Sequence, residues 1–358
     1  MEEQKDILGM LELMTTPAFC VKDAKIAEMN QPAKQLLLEK GTPISDLLGM
    51  QTAAYESFQG GCLFVTLELS GVQMDATVKR IGSDDIFMID QQVQTELRVM
   101  ALVAQNLRIS LADLLSLTDR LLPALETEAD TSQKRQITQV NRKLTQLNRA
   151  ILNMSDAARY INDAGRQLTL VDVPSVIDEI LERAQMLLEP ADIRLDIRLP
   201  QESILCCVDT EKLERALYNL LSNAAKATPA GGTVQIELRQ KNGWLYLSVE
   251  DHGNGIPASV MANIFTRYQR APGLEDGRHG LGLGMALIRA TATIHGGTVL
   301  IQQPVSGGTK VTLSFPIRVG KELTMHAHRL FADYAGDRDH ALLELSEVLP
   351  AELYSYND

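Results

Sequence analysis

Histidine is missing from the first 251 residues of this 358-residue chain; the six present are His252, His279, His295, His326, His328 and His340. Imidazole chemistry is thereby excluded from the whole N-terminal two thirds. Long apolar runs are missing too. None reaches the roughly 18–20 residues that cross a bilayer, so membrane insertion is not expected. Basic excess is missing: 34 Lys and Arg face 46 Asp and Glu, for a net charge of -12. That balance argues against general binding of nucleic acid or of anionic membrane. Cysteine is scarce. Cys20, Cys62, Cys206 and Cys207 have neither metal-site nor disulfide spacing, and reduced thiols are expected. The acidic start, Met1 to Asp6, does not read as a secretory signal, so a cytoplasmic location is expected. Glycine and proline nearly vanish between Gln92 and Gly165, where Pro123 is the one interruption.

What is present is apolar side chain: 45% of residues are hydrophobic. A chain of this length and composition supports two or three packed domains. Ile7, Leu8, Leu11 and Met14 have helical spacing. Pro17–Val21 and Ile26–Met29 read as two short strands, with Lys22–Lys25 as the turn. Gln31–Glu39 reads as a helix ended by Gly41, and 43–49 as another short turn of helix. Cys62–Leu69, Gln73–Arg80 and Asp85–Asp90 read as strands, with Gly71 and Gly82 supplying turns. A strand pair, short helices and three strands, in that order over about 15–92, resembles a PAS sensor domain.

The Gly-poor stretch carries two matched apolar series. One is Leu97, Met100, Ala104, Leu107, Leu111, Leu114, Thr118 and Leu121. The other is Ile137, Val140, Leu144, Leu147, Ile151, Met154, Ala158 and Ile161. Both step by three and four residues, the pattern of a coiled-coil seam, with a polar, acidic break at 126–133. They predict an antiparallel helical hairpin. One hairpin buries only one seam well, whereas two hairpins paired as a four-helix bundle bury both, so a homodimer is expected.

From 168 to 318 helix and strand patterns alternate. Helices are expected at Val173–Leu188, from an Asp209 cap to Ala227, at 258–264 and at Leu283–His295. Strands are expected at 193–199, 204–208, Val234–Gln240, Leu245–Glu250, Val299–Gln303 and Lys310–Pro316. The pair before and after Asn242 and Gly243 forms a hairpin. The sum is a two-layer α/β sandwich. Residues 320–358 form an acidic extension, with helical pieces near 322–335 and 339–348.

Three boxes in this region carry chemistry. Asn219, Asn223 and Lys226 lie at i, i+4 and i+7 on one face of a helix. Amide oxygens suit Mg²⁺ whose shell is completed by phosphate and water, and an ammonium suits phosphate charge. Asp251 ends a strand before Gly253 and Gly255. A carboxylate there can accept the exocyclic amine of adenine, and the glycines permit close backbone approach. Gly280, Gly282 and Gly284 open a helix whose N–H groups and dipole suit phosphates. The charged stretch Arg267–His279, with Gly273 and Gly277, suits a lid.

Together the boxes resemble the ATP-binding domain of sensor histidine kinases, within the superfamily shared with gyrase, the heat-shock-90 chaperones and mismatch-repair ATPases. The resemblance covers about 168–318. It implies ATP and Mg²⁺ as cofactors, Asn223 as the Mg²⁺ ligand, Asn219 and Lys226 at the phosphates, and Asp251 on adenine. Phe265 and Tyr268 match an aromatic box before the lid. Ala227 departs from the family, which often has an aromatic residue there, and this puts tight binding of the base in doubt. Hydrolysing superfamily members usually carry glutamate at the place of Asn219. An amide cannot act as a general base, so phosphoryl transfer is favoured over hydrolysis.

The same family presents an acceptor histidine on the first bundle helix. Here Leu107, Arg108 and Leu111 keep the frame, but the acceptor position is Gln105, followed by Asn106, Ile109 and Ser110. A glutamine has no nucleophilic imidazole nitrogen. The resemblance therefore implies an α+β multidomain protein: PAS-like sensor at 1–92, helical-hairpin dimerisation domain at 93–165, histidine-kinase-type ATP-binding domain at 166–318 and acidic helical extension at 319–358. Its expected function is two-component signal transduction without self-phosphorylation on the bundle, in the manner of a pseudokinase. A response regulator or a partner kinase is the candidate partner. Two alternatives stay open: an active histidine kinase with a partner or non-standard acceptor in a phosphorelay, and a serine kinase of the anti-sigma type.

Overall fold

The computed structural model describes residues 9–90, 93–161, 168–257, 283–319 and 339–356, the side chains of 93–102 and 156–161 excepted. The expected helices at 258–264 and 322–335 and the expected lid lie outside the described residues. Strands β1 (Ala18–Lys22) and β2 (Lys25–Met29) form the first hairpin. Its tight turn holds Asp23 and Ala24 at φ 50 and 59, as a primed two-residue turn requires. The helix expected over Gln31–Glu39 is shorter. Helix α1 spans Gln31–Lys34, capped by Asn30, whose side-chain oxygen accepts from the Ala33 N–H at 3.0 Å. The chain then turns out at Leu37, φ 60, a left-handed conformation that no helix continues through. Helix α2 (Ile44–Leu48) falls where a turn of helix was expected, and α3 (Thr52–Glu56) adds one that the pattern did not signal. Strands β3 (Cys62–Leu69), β4 (Val72–Ile81) and β5 (Asp84–Ile89) follow.

Helices α4 (Val93–Glu128) and α5 (Thr131–Ile161) form the long hairpin. A reciprocal capping box separates them: Asp130 accepts from the Gln133 N–H, and the Gln133 side chain accepts from the Asp130 N–H, each at 2.9 Å. Ala104, Leu111, Leu115 and Ile151 are buried between the helices, with Leu144 and Met154 against them. Leu107, Leu114, Leu121, Val140 and Leu147 are exposed. The seam thus passes from Leu111 to Leu115, not to Leu114. A straight helix of 3.6 residues per turn drifts from a 3.5-residue repeat, and the packed row moves over by one position.

The remainder is built from β6 (Thr169–Asp172), α6 (Val173–Leu188), β7 (Arg194–Arg198), β8 (Leu205–Val208), α7 (Thr210–Ala227), β9 (Thr233–Lys241), β10 (Trp244–Asp251), α8 (Gly284–His295), β11 (Thr298–Gln302) and β12 (Thr309–Pro316). Asn242 and Gly243, at φ 51 and 78, turn β9 into β10. Strand β7 pairs parallel to β9, and β10, β12 and β11 continue antiparallel. Strands β6 and β8 form a separate pair. The three helices bury Ile177, Leu217, Leu221 and Ile288 against Ile236, Leu247 and Leu313 of the sheet.

Strand β11 also pairs antiparallel with β3, through Val299–Phe64, Leu300–Leu63 and Ile301–Cys62. One ten-stranded sheet results, in the order β2-β1-β5-β4-β3-β11-β12-β10-β9-β7. Gly61 permits the join, since a Cβ there would stand 2.2 Å from the Ile301 carbonyl oxygen. The C-terminal segment folds back. Helix α9 (His340–Glu344) and a 3₁₀ turn at Ala351–Tyr354 bring Ala341, Leu345, Leu349 and Tyr354 into the main core.

Candidate nucleotide-binding site

Helix α7 begins where Asp209 accepts from the Lys212 N–H at 3.2 Å. The Asp209 N–H itself donates to His295 Nε2 at 3.0 Å, while His295 Nδ1 lies 2.7 Å from the Thr291 carbonyl. Nε2 therefore accepts and Nδ1 donates, the pattern of a neutral ring. Burial pushes the His295 pKa down in the same direction. These contacts fix α8 against the start of α7.

Along α7, Asn219 is buried, Asn223 is exposed and Lys226 is half-buried. The Asn219 amide donates to the Arg215 carbonyl at 2.8 Å, and its oxygen accepts from Arg149 of α5 at 3.2 Å. Asp251 is buried at the end of β10 and accepts from the Gly253 N–H at 2.9 Å. Burial pushes its carboxyl above the ordinary range, against the lowering effect of backbone hydrogen bonds from Gly253 and Thr309.

The glycines explain how the boxes meet. A Cβ on Gly253 would lie 2.3 Å from the Ala227 carbonyl oxygen, at the end of α7. A Cβ on Gly284 would lie 2.9 Å from the Asn219 side-chain oxygen. Gly255, at φ 70, is held close to Gln303, which donates to the Ile256 carbonyl at 2.6 Å. Gly253 of the second box and Gly284 of the third therefore close on opposite ends of the first. Such a corner can offer a buried carboxylate to a base, an exposed amide oxygen to a hard cation and an ammonium to phosphate. Phe265, Tyr268, Gly280 and Gly282 lie outside the described residues. Gln105 is exposed on α4, beside the buried Ala104.

Four charged residues at this corner had no local signal in the sequence. Glu344 accepts from Arg149 at 3.0 Å and from Arg215 at 3.1 Å. Glu347 lies 2.9 Å from Arg149 and also pairs with Lys226. Burial lowers the Lys226 pKa, partly offset by Glu347. Burial alone would raise the Glu347 pKa, but the charges of Arg149 and Lys226 outweigh it and hold the carboxyl below its usual range.

The buried carboxylate, the amide face of α7 and the glycine-started α8, on a mixed sheet, define an ATPase domain of the histidine-kinase type. Residues 208–319 match the family described as histidine kinase-, DNA gyrase B-, and HSP90-like ATPase, and the chain carries a domain of that family. Hybrid signal transduction histidine kinase D of Dictyostelium discoideum is 31% identical over 155 residues, 42% of this chain and 10% of that protein. The signal transduction histidine-protein kinase/phosphatase MprB of Mycolicibacterium paratuberculosis is 34% identical over 160 residues, 44% of this chain and 30% of that protein. The chain thus spans under a third of the length of either relative. Full-length ShkA, solved in complex with AMPPNP, shares the fold at a TM-score of 0.51 and 21% identity, over 62% of this chain and 46% of that one. Among the described residues, no helix is long and apolar enough to cross a membrane.

Proposed function

We propose that this chain binds Mg-ATP at the three boxes and acts as a histidine-kinase-like signalling protein of the two-component type. The closure of Gly253 on Ala227 and of Gly284 on Asn219 carries the reading, because it joins residues from three separated stretches at one corner. Asp251 takes the adenine amine and Asn223 ligates Mg²⁺. Asn219 and Lys226 face the phosphates, while Gly280, Gly282 and Gly284 approach them with backbone N–H groups. Phe265 and Tyr268 flank the lid. The sheet segment from β1 to β5 is a PAS-like sensor. The exposed leucines of α4 and α5 pair with a second copy as a four-helix bundle, on which a response regulator docks.

The chain does not phosphorylate its own bundle. Position 105 is glutamine, and no histidine precedes His252. The test is incubation of the full chain with γ-labelled ATP and Mg²⁺. The expected outcome is bound nucleotide without acid-labile label on the protein. Stable acid-labile label on the chain sinks the reading, and label found only on an added partner transfers it to a kinase acting in trans.

A further inference from the structure

The corner proposed for nucleotide phosphate is bordered by carboxylates of the chain's own C-terminal segment. Glu347 pairs with Lys226, the ammonium assigned to phosphate, and with Arg149. Arg149, on α5, also donates to the Asn219 oxygen. The guanidinium takes up one lone pair of that oxygen, and its positive charge beside the corner repels Mg²⁺. Arg149, Arg215 and Glu344 are all buried, with Glu344 fully enclosed between the two guanidinium groups.

The segment is anchored on both of its neighbours. Toward the bundle, Asn141 donates to the Tyr354 carbonyl at 2.7 Å and Gln146 to the Ser346 carbonyl at 2.8 Å, and Leu343 packs on Leu152. Toward the ATPase-type domain, His340 Nδ1 lies 3.1 Å from Glu214, and Leu345 and Leu349 enter the core beside α7. It therefore straps α5 to α7 while its acid groups occupy the cationic residues between them.

We propose that residues 339–356 are an intramolecular ligand of the nucleotide-phosphate site, in which the Glu347 carboxylate stands in for phosphate, so that docking of this segment and binding of Mg-nucleotide exclude one another. This inference rests on the assignment of Lys226 and Asn219 to Mg-ATP. A carboxylate and a phosphoryl oxygen satisfy an ammonium in the same way, and a phosphate brought to Lys226 while Glu347 is paired there meets the repulsion of a second anion. Nucleotide affinity is then reduced by the fraction of molecules with the segment undocked. The strap also holds the ATPase-type domain against α5 in one orientation, so displacement by nucleotide frees the domain as it loads it.

The experiment compares Mg-ATP binding by calorimetry in the full-length wild type, Glu347→Gln and Glu352→Gln. Glu352 is an exposed acid on the same segment, and its substitution controls for the loss of one negative charge. Amide hydrogen exchange over 340–354 is followed with and without saturating Mg-ATP. Glu347→Gln is expected to tighten Kd by about tenfold or more, as for a site open in a tenth of molecules or fewer. Glu352→Gln is expected to match wild type, and Mg-ATP is expected to raise exchange over 340–354 in the wild type. Equal Kd in wild type and Glu347→Gln overturns the proposal while leaving the nucleotide site standing, as does a nucleotide-bound wild type in which 340–354 stays protected. Absence of binding in all three proteins up to millimolar ATP overturns the nucleotide site and this proposal together.

Discussion

Asp251 is a buried carboxylate at a strand end, and burial raises its pKa even though backbone N–H groups from Gly253 and Thr309 donate to it. A raised folded-state pKa means that the protonated form is favoured by folding. The associated stability is present below the ordinary carboxylate value of 3.8 and is lost as pH rises through the folded value. At neutral pH the charge therefore destabilises the ligand-free fold. Asp251→Asn is expected to melt at or above the wild-type temperature at pH 7, with the difference closing below pH 3.8. The same variant is expected to lose the thermal stabilisation by Mg-ATP that mass action gives the wild type. Melting curves with and without nucleotide check both outcomes, and undiminished stabilisation would place the adenine contact elsewhere.

Helix α8 connects two regions at the scale of an element. It starts at Gly284, against Asn219, and five residues on it presents Arg289 to the first five strands. The Arg289 guanidinium lies 2.5 Å from Asp75 on β4, 2.8 Å from Asp90 after β5, and 4.5 Å from the Phe64 ring centroid on β3. Burial alone would lower its pKa, but the two carboxylates outweigh this and raise it. Arg289→Met keeps the aliphatic stem and strands both acids. Removing one partner of a fully buried pair costs about 3–5 kcal/mol. Here about 2 kcal/mol is expected, because the Asp75 side chain keeps 32% of its surface in water. Urea unfolding of the two proteins measures the difference. A loss below about 0.5 kcal/mol, the range of an ordinary surface substitution, would mean that the join between β3 and β11 does not depend on this cluster.

For the whole molecule, the two helices of the hairpin separate their apolar residues by destination. Leu111 is buried within the hairpin, whereas Leu147 is exposed. The outward row of Leu107, Leu114, Leu121, Val140 and Leu147 is what a second hairpin would cover in a four-helix bundle. Leu147→Glu is expected to halve the mass seen in light scattering while leaving helix content unchanged. Leu111→Glu is expected to unfold the hairpin instead, since it puts a charge between α4 and α5. A wild-type monomer at micromolar concentration would remove the dimer from the proposal.

The α/β region was legible because its elements announce themselves locally. Asp209 caps α7, the apolar positions Leu213, Leu217, Leu220 and Leu221 give it one buried side, and Asn242–Gly243 turns one strand into the next. The boxes are equally local, each a short run of residue types, and the structure brings Gly253 and Gly284 against the ends of the first. Less local features were not. The one-residue shift from Leu114 to Leu115 depends on how far a helix drifts over several turns. Helix α1 ends early because Leu37 adopts a left-handed conformation without glycine, and α3 is too short to show a period. The pairing of β3 with β11 joins residues more than two hundred positions apart, through backbone groups that carry no side-chain signature. Arg149, Arg215, Glu344 and Glu347 look like ordinary surface charges in the sequence, and only long-range packing links them, with Glu344 between the two guanidinium groups and Glu347 on Lys226. The sequence by itself determined the residue types in the three boxes and the glutamine at position 105, on which the proposed function rests, because these reside in residue identity and short spacing. Tertiary structure decided what those residues touch: Asn219 meets a guanidinium of α5 and Lys226 a carboxylate of the C-terminal segment, because Leu343 packs that segment on α5 and Leu345 and Leu349 enter the main core beside α7.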